Sequence, residues 1–401
     1  MAIIDIPDLL LPKADYDYRK WSVIACDQFT SQRDYWQKLD AFCGDVSALR
    51  LIFPEYYLSV SREDEVAARI AAIHAKMDEY VAKDVFDRVH DFVLVERTLP
   101  TGGVRVGLMV AIDLEEYDYR PEAQAHIRAT EATVESRLPV RVRIRDGASL
   151  ELSHALLLVD DSEAGVIERL YARRDALPLL YDLDLNMGGG HLRGYRVTCS
   201  EAVLADLAAL TASRDFQFAV GDGNHSIASA KKYWDKVKLG LTEEQRATHP
   251  ARYATAELIN LHSDGLTFHP IHRVVTGVDF ADFFAALRSA FAGEGTLTVI
   301  YNGGAYTTNC DQNATDVIEK MAAFLASYCA ANPEAKVDYI HGEEHLQSVC
   351  RDLAGVGILM PSMQKKDLFP YVEAHGVLPK KAFSLGEAEE KRYYMECKRI
   401  K

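Results

Sequence analysis

Apolar residues recur at helical spacing over residues 62–80, where Val66, Ile70, Ile73, Met77 and Tyr80 form one stripe with charged positions opposite. Two strand-like runs follow at 91–99 and 104–113, separated by Pro100-Thr101-Gly102-Gly103, and together they predict a hairpin. The spacing predicts a helix over 127–137, with Arg128, Glu131 and Glu135 near one face and Thr130, Thr133 and Arg137 on another. Strict alternation over 139–145 (Pro-Val-Arg-Val-Arg-Ile-Arg) predicts a strand that buries its aliphatic side chains and displays three arginines. Further along, the pattern predicts strands at 155–159, 254–261, 296–301 and 356–360, and helices at 31–41, 163–176, 200–212, 226–237, 280–291 and 314–330. Gly188-Gly189-Gly190-His191 reads as a mobile loop able to close over a ligand, with a plain flexible connection as the alternative; no phosphate-loop lysine follows it. Ser384 to Glu387 spells a capping box, while alternation over 393–400 also allows a final strand. The fold class is α/β, a central mixed sheet with flanking helices. Three parts are expected: 1–145 with the hairpin, 146–278, and 279–401.

One junction carries chemistry. Phe216 to Val220 is a buried-strand run, and Gly221-Asp222-Gly223-Asn224-His225-Ser226 is a polar glycine turn leading into a helix whose face holds Ile227, Ala230 and Trp234. Gly221 and Gly223 permit positive φ and close backbone approach, so successive N–H groups there can converge on an anion, aided by the helix dipole. Asp222 can act as a base or hold a divalent cation, His225 can donate, accept or titrate near neutrality, and Ser226 can cap the helix or donate to phosphate. Capping alone would explain Asp222 and Asn224, but not a histidine beside them. A second cluster, from His262 to Arg273, packs His262, His269, His272, Asp264 and Arg273 into twelve residues; without a His-x-x-x-His spacing it specifies no metal site.

These motifs resemble those of a large uncharacterised bacterial family, domain of unknown function one-zero-one-five. The resemblance rests on the Asp-Gly-Asn-His-Ser loop, on Ile-Arg-Ala-Thr-Glu-Ala-Thr at 127–133 with Arg137, on Pro-Ile-His-Arg-Val-Val at 270–275, and on the run 378–400. The loop is also similar to the motif of ParB-like and sulfiredoxin-like domains, some of which bind nucleotides and include a kinase acting on free serine. That likeness implies a phosphate-binding or catalytic role for Asp222, Gly223, Asn224 and His225. Asn224 stands where the commonest pattern has a histidine and Ser226 where it has an arginine, which removes one means of neutralising phosphate there. The family pattern further implies that Arg128, Glu131 and Arg137 belong to a polar site, and that His272 or Arg273 faces the Asp222 loop. Lys380 or Lys381 is able to neutralise a phosphate, with a solvated surface lysine as the alternative.

Composition narrows the partners. The 401 residues, 48% of them hydrophobic, suffice for two or three domain-sized units. The apolar start is broken by Asp5, Pro7 and Asp8 and lacks a basic lead, so neither a signal peptide nor a membrane span is expected, and a cytoplasmic location follows. Seven scattered cysteines, none in a Cys-x-x-Cys pair, point to a reducing compartment and away from a zinc ribbon. A net charge of −15 disfavours nucleic acid as partner and favours a small molecule. The expected function is a nucleotide-dependent phosphotransferase acting on a small hydroxyl metabolite such as serine. Asp222, His225 and Glu131 would be its catalytic groups; Gly221, Gly223, Asn224, Ser226, Arg128, Arg137, His272, Arg273 and Lys381 would bind ADP or ATP with magnesium, no protein metal site being specified. A phosphatase using the same residues and a non-catalytic nucleotide-binding regulator are the alternatives.

Overall fold

The computed structural model describes residues 3–401. They form mixed α/β structure in two compact units, Met1–Leu266 with Glu387–Lys401, and Thr267–Gly386. No helix among the described residues is long and apolar enough to cross a membrane.

The first unit is built on a ten-stranded mixed sheet. Its strands are β1 (Ile4–Asp5), β2 (Phe92–Thr98), β3 (Val104–Asp113), β4 (Tyr117–Asp118), β5 (Ile127–Ala129), β6 (Leu156–Val159), β7 (Leu179–Asp184), β8 (His191–Val197), β9 (Phe218–Asp222) and β10 (Tyr253–Asn260). Their order is β7-β8-β2-β3-β10-β6-β9-β5-β4, with β1 added beside β3. β2 and β3 are the antiparallel hairpin that the turn residues predict. The pairs β6/β10, β9/β5 and β5/β4 run parallel. A smaller sheet interleaves distant chain segments in the order Phe86–His90, Asp8–Pro12, Cys397–Arg399, Leu150–Leu152. The long helix Glu63–Ala82 buries Val66, Ile70, Ile73, Met77 and Tyr80, the stripe its spacing foretells.

Two sequence expectations exchange places. Residues 127–137 are not helical: Ile127–Ala129 is the fully buried strand β5, and only Glu135–Arg137 makes a single 3-10 turn. A strand paired on both sides through its backbone overrides a weak helical preference. Residues 139–145, by contrast, are not a strand but lie in helix α1 (Leu138–Arg145), with Pro139 in its first turn, where the missing N–H costs nothing. Seven alternating residues also satisfy an i, i+4 pattern, so Arg141 and Arg145 share one face. Arg143 leaves that face and pairs with Glu63 at the surface.

The expected mobile glycine loop is a pinned hairpin turn between β7 and β8. The Asn186 amide donates to the carbonyls of Arg19 and Ser22, and the Tyr393 hydroxyl donates to the Asn186 carbonyl. The capping box lies three residues beyond the one expected: Glu387 caps the turn Ala388–Glu390 with Glu390, while Ser384 sits in the strand Phe383–Leu385. Residues 163–176 hold only the short helix Ile167–Tyr171 and a 3-10 turn. The chain end makes two short strands, Tyr393–Tyr394 against Val23–Ile24 and Cys397–Arg399.

The second unit is a six-stranded sheet ordered Gly304–Cys310, Gly295–Tyr301, Val356–Leu359, Phe268–Thr276, Lys336–His341, with Phe383–Leu385 paired to the start of Phe268–Thr276. Its helices Phe280–Ala290 and Ala314–Ala331 match the periodic segments expected there.

Candidate functional site

β9 delivers the polar turn. Phe218, Ala219 and Val220 are buried, Asp222 ends the strand, and Gly223 takes a left-handed conformation with φ 79 before the fourteen-residue helix α2 (Asn224–Val237) begins. A Cβ on Gly223 would lie 2.9 Å from the Ala155 Cα, so the turn requires glycine on both conformational and steric grounds. Ile227, Ala230 and Trp234 bury the inner face of α2, which fixes its amide end at the sheet edge. That end carries the positive pole of the helix dipole. Gly221 lies within β9, away from positive φ, and serves the strand rather than the turn.

The second motif arrives at the same edge. β5 runs parallel to β9 with Ala129 opposite Val220, so Thr130-Glu131 and Asp222-Gly223 leave the sheet side by side, at the C-terminal ends of adjacent parallel strands. Open α/β sheets bind ligands at that edge. The Thr130 hydroxyl donates to the Val220 carbonyl at 2.8 Å. The Val134 N–H donates to His225 Nε2 at 3.2 Å, which leaves Nδ1 to carry the proton of the neutral ring. Asp222 accepts from the Gly223 N–H at 2.8 Å through Oδ1, and its Oδ2 lies 3.2 Å from the Lys391 ammonium. Two buried polar atoms in these loops, Asn224 Oδ1 and Thr133 Oγ1, have no hydrogen-bond partner.

Beside the first turn of α2 lies a cavity of about 90 Å³ that Ser226, Arg141, Arg145, His154, Cys26 and Tyr394 help to line. Arg145 donates to the hydroxyls of Ser226 (3.1 Å) and Ser229 (2.7 Å) and to Glu151 (3.0 Å). Arg141 pairs with Glu55. The Tyr394 hydroxyl stands 3.0 Å from the Cys26 sulfur and 2.8 Å from His154 Nδ1, and His154 Nε2 is 3.8 Å from Asp27. Burial, reinforced by the Asp27 charge, pushes the Cys26 thiol up to about 11, so it is protonated at neutral pH and no ready nucleophile. Burial also raises the Asp27 carboxyl, but His154, Gln28 and Lys391 outweigh it and hold the group below the usual carboxylate value. Lys391 therefore acts on both Asp222 and Asp27. No three His, Cys, Asp or Glu side chains among the described residues are grouped to hold a metal ion.

Arg128 is buried, donates to the Ala125 carbonyl at 2.9 Å and stacks over Phe216 at 4.9 Å. Arg137 is exposed on its 3-10 turn, and its carbonyl accepts from Arg141. His272, Arg273 and Lys381 belong to the second unit. There His272 Nδ1 accepts from the Met360 N–H, and burial followed by the Arg273 charge lowers its pKa against a raising effect of Glu343. Arg273 donates to the Lys381 carbonyl at 2.9 Å and stacks over Tyr339 at 4.6 Å. Sequence reasoning missed Lys391, Asp27, His154 and Tyr394. A lysine just after the capping glutamates and an aspartate beside Cys26 carry no local pattern that would single them out.

The family described as "Protein of unknown function (DUF1015)" matches residues 10–346, and the chain belongs to it. Among solved structures, a conserved hypothetical protein from Pyrococcus furiosus is similar at 12% identity and a TM-score of 0.38, covering 73% of this chain and 95% of that one. A free serine kinase in complex with AMP is similar at 11% identity and a TM-score of 0.38, covering 73% and 91%. SbnI from Staphylococcus aureus, truncated at its C-terminus, is similar at 11% and 0.37, covering 69% and 82%. No curated protein matches. Likeness at this level leaves the chemistry to be argued from the chain's own residues.

Proposed function

We propose that the first unit is a nucleotide-dependent phosphotransferase acting on a small hydroxyl-bearing metabolite, with serine among the candidate acceptors. The observation that carries this reading is the meeting of two separated motifs, Thr130-Glu131 and Asp222 to Ser226, at the C-terminal ends of parallel β5 and β9, with the amide end of α2 and Lys391 beside them. Phosphoryl transfer needs positioning and charge neutralisation more than covalent chemistry. The α2 amide end and Lys391 are suited to hold phosphate oxygens, and His225 can donate from Nδ1. Glu131, which leaves β5 beside the Asp222 turn, is assigned as the base for the acceptor hydroxyl. Asp222 is the carboxylate for a magnesium ion brought by the nucleotide; such ions take one or two carboxylates and complete their shell with phosphate and water, so a preformed cluster is not required. Asn224 Oδ1 and Thr133 Oγ1, buried and unpartnered, fit a loop pair that gains hydrogen bonds on binding.

The test is incubation with ATP, magnesium and a mixture of small hydroxyl metabolites, read by phosphorus NMR and mass spectrometry. ADP together with a new phosphoester is expected. Glu131→Gln should lower turnover by about 10²–10⁴-fold while nucleotide affinity stays within a few-fold. Nucleotide binding with no turnover under any acceptor would favour the regulator; release of free phosphate from a phosphoester would favour the hydrolase.

A further inference from the structure

We infer that the cavity beside α2 is a binding site for a compact, uncharged, mainly aliphatic organic molecule, such as a small branched alcohol. The inference stands apart from phosphotransfer, which it neither needs nor supports.

Size sets the first limit. About 90 Å³ is several times what one water requires and well short of the 150 Å³ cavity that holds benzene, so the space suits about four to six non-hydrogen atoms. The walls set the second. Leu51, Phe53, Met77, Ile144, Leu150 and Leu152 make most of the lining apolar, which holds water poorly and rewards an aliphatic body.

Charge sets the third limit. Each arginine that lines the cavity already has its own carboxylate, Arg141 with Glu55 and Arg145 with Glu151, and all four residues belong to the wall. An ionic guest would give up its hydration without meeting an uncompensated opposite charge. The two terminal nitrogens of Arg145 are likewise committed, to Ser229, Ser226 and Glu151. Ser226 belongs both to this wall and to the first turn of α2, so the guest would sit next to the helix end assigned above to phosphate.

The probe is 2-methylpropan-1-ol, with 2-methylpropanoate as its charged counterpart of the same body. Protein labelled with carbon-13 in its methionine methyl groups reports through Met77, assigned by Met77→Leu. The alcohol should shift the Met77 signal saturably with a Kd on the order of 1 mM, as befits five heavy atoms, and the carboxylate should bind at least tenfold more weakly. Ile144→Trp and Leu58→Trp fill the space from different segments, and either should abolish the shift while the other methionine signals keep their native dispersion. A shift that stays linear with concentration, survives in a folded filling variant, or is stronger with the carboxylate would overturn the inference. No nucleotide is present, so the outcome is independent of whether phosphotransfer occurs.

Discussion

Gly223 sets the shape of the loop on which the proposed chemistry depends, because its φ of 79 and its closeness to Ala155 leave no room for a side chain. Gly223→Ala should destabilise the protein by about 1–3 kcal/mol, read as a lower urea midpoint at unchanged slope. A wild-type midpoint would mean that the backbone at Ala155 yields and that the turn is not fixed by this contact. The Asp222–Lys391 pair makes a second claim at this scale. Both side chains are mostly buried, at 22% and 12% exposure, so removing one partner leaves a charge with little water to replace it. Lys391→Met is expected to cost about 1–3 kcal/mol, and adding Asp222→Asn should recover part of that loss. Strict additivity in the double-mutant cycle would show that the two groups do not interact. The loop was legible in the sequence because its chemistry is contiguous. Lys391 and His154 were not, since they reach Asp222 and Asp27 only through tertiary structure, and one lysine or histidine in a strand-like run looks like any other.

Elements were legible where one periodicity had no rival. The helix Glu63–Ala82 and the hairpin of β2 and β3 were plain from spacing and turn residues, whereas α1 and β5 were exchanged. Val-Arg-Val-Arg-Ile-Arg fits a strand and a two-turn helix equally well over so short a span, and only the surrounding structure decides. The exchange matters for function: as a helix, α1 turns Arg141 and Arg145 together toward the cavity and sends Arg143 to the surface, instead of displaying three arginines in a row. The short strand Cys397–Arg399 carries its own prediction. Burial depresses the Lys398 ammonium from 10.5 to about 8; the Glu151 charge opposes this and Arg145 adds to it. Between those two pH values the unfolded chain holds the proton and the folded one does not. Stability should therefore rise with pH from about 8 toward 10.5, by at most about 1.4 kcal/mol per pH unit from this group, and show no slope from it below pH 8, where both states are protonated. Comparing denaturation of the wild type and Lys398→Met across pH 7 to 10 isolates the effect. Parallel pH profiles for the two proteins would sink it.

Chain order hides the organisation of the whole molecule, because the last fifteen residues return to the first unit after the second is complete. The return is held by buried charges: Arg392 donates to Glu257 at 2.9 Å and pairs with Glu396, whose other oxygen accepts from Tyr181 at 2.6 Å. Burial alone would lower the Arg392 pKa, but Glu396 and Glu257 raise it above its ordinary value, so the guanidinium stays charged at any working pH. The same segment supplies Lys391 to Asp222 and the strand Cys397–Arg399 between Asp8–Pro12 and Leu150–Leu152. The second unit, by contrast, begins and ends at residues that are bonded to each other, the Gly386 N–H donating to the Thr267 carbonyl at 3.2 Å. It is in effect an insertion, and a short glycine-serine linker can join Leu266 to Glu387 across so narrow a gap. Replacing 267–386 by such a linker should leave a first unit that unfolds in one cooperative thermal transition and still shows stabilisation by nucleotide if the proposed site is real. Ending the chain at Gly386 should not. It takes the nearer arginine from Glu257 in the core, leaving Arg105 at 3.7 Å, at about 3 kcal/mol, and removes the strand that joins two others, a loss that approaches the whole stability of an ordinary domain. If the linker variant failed to fold while the truncated chain melted cooperatively, the second unit rather than the returning segment would be what holds the first together.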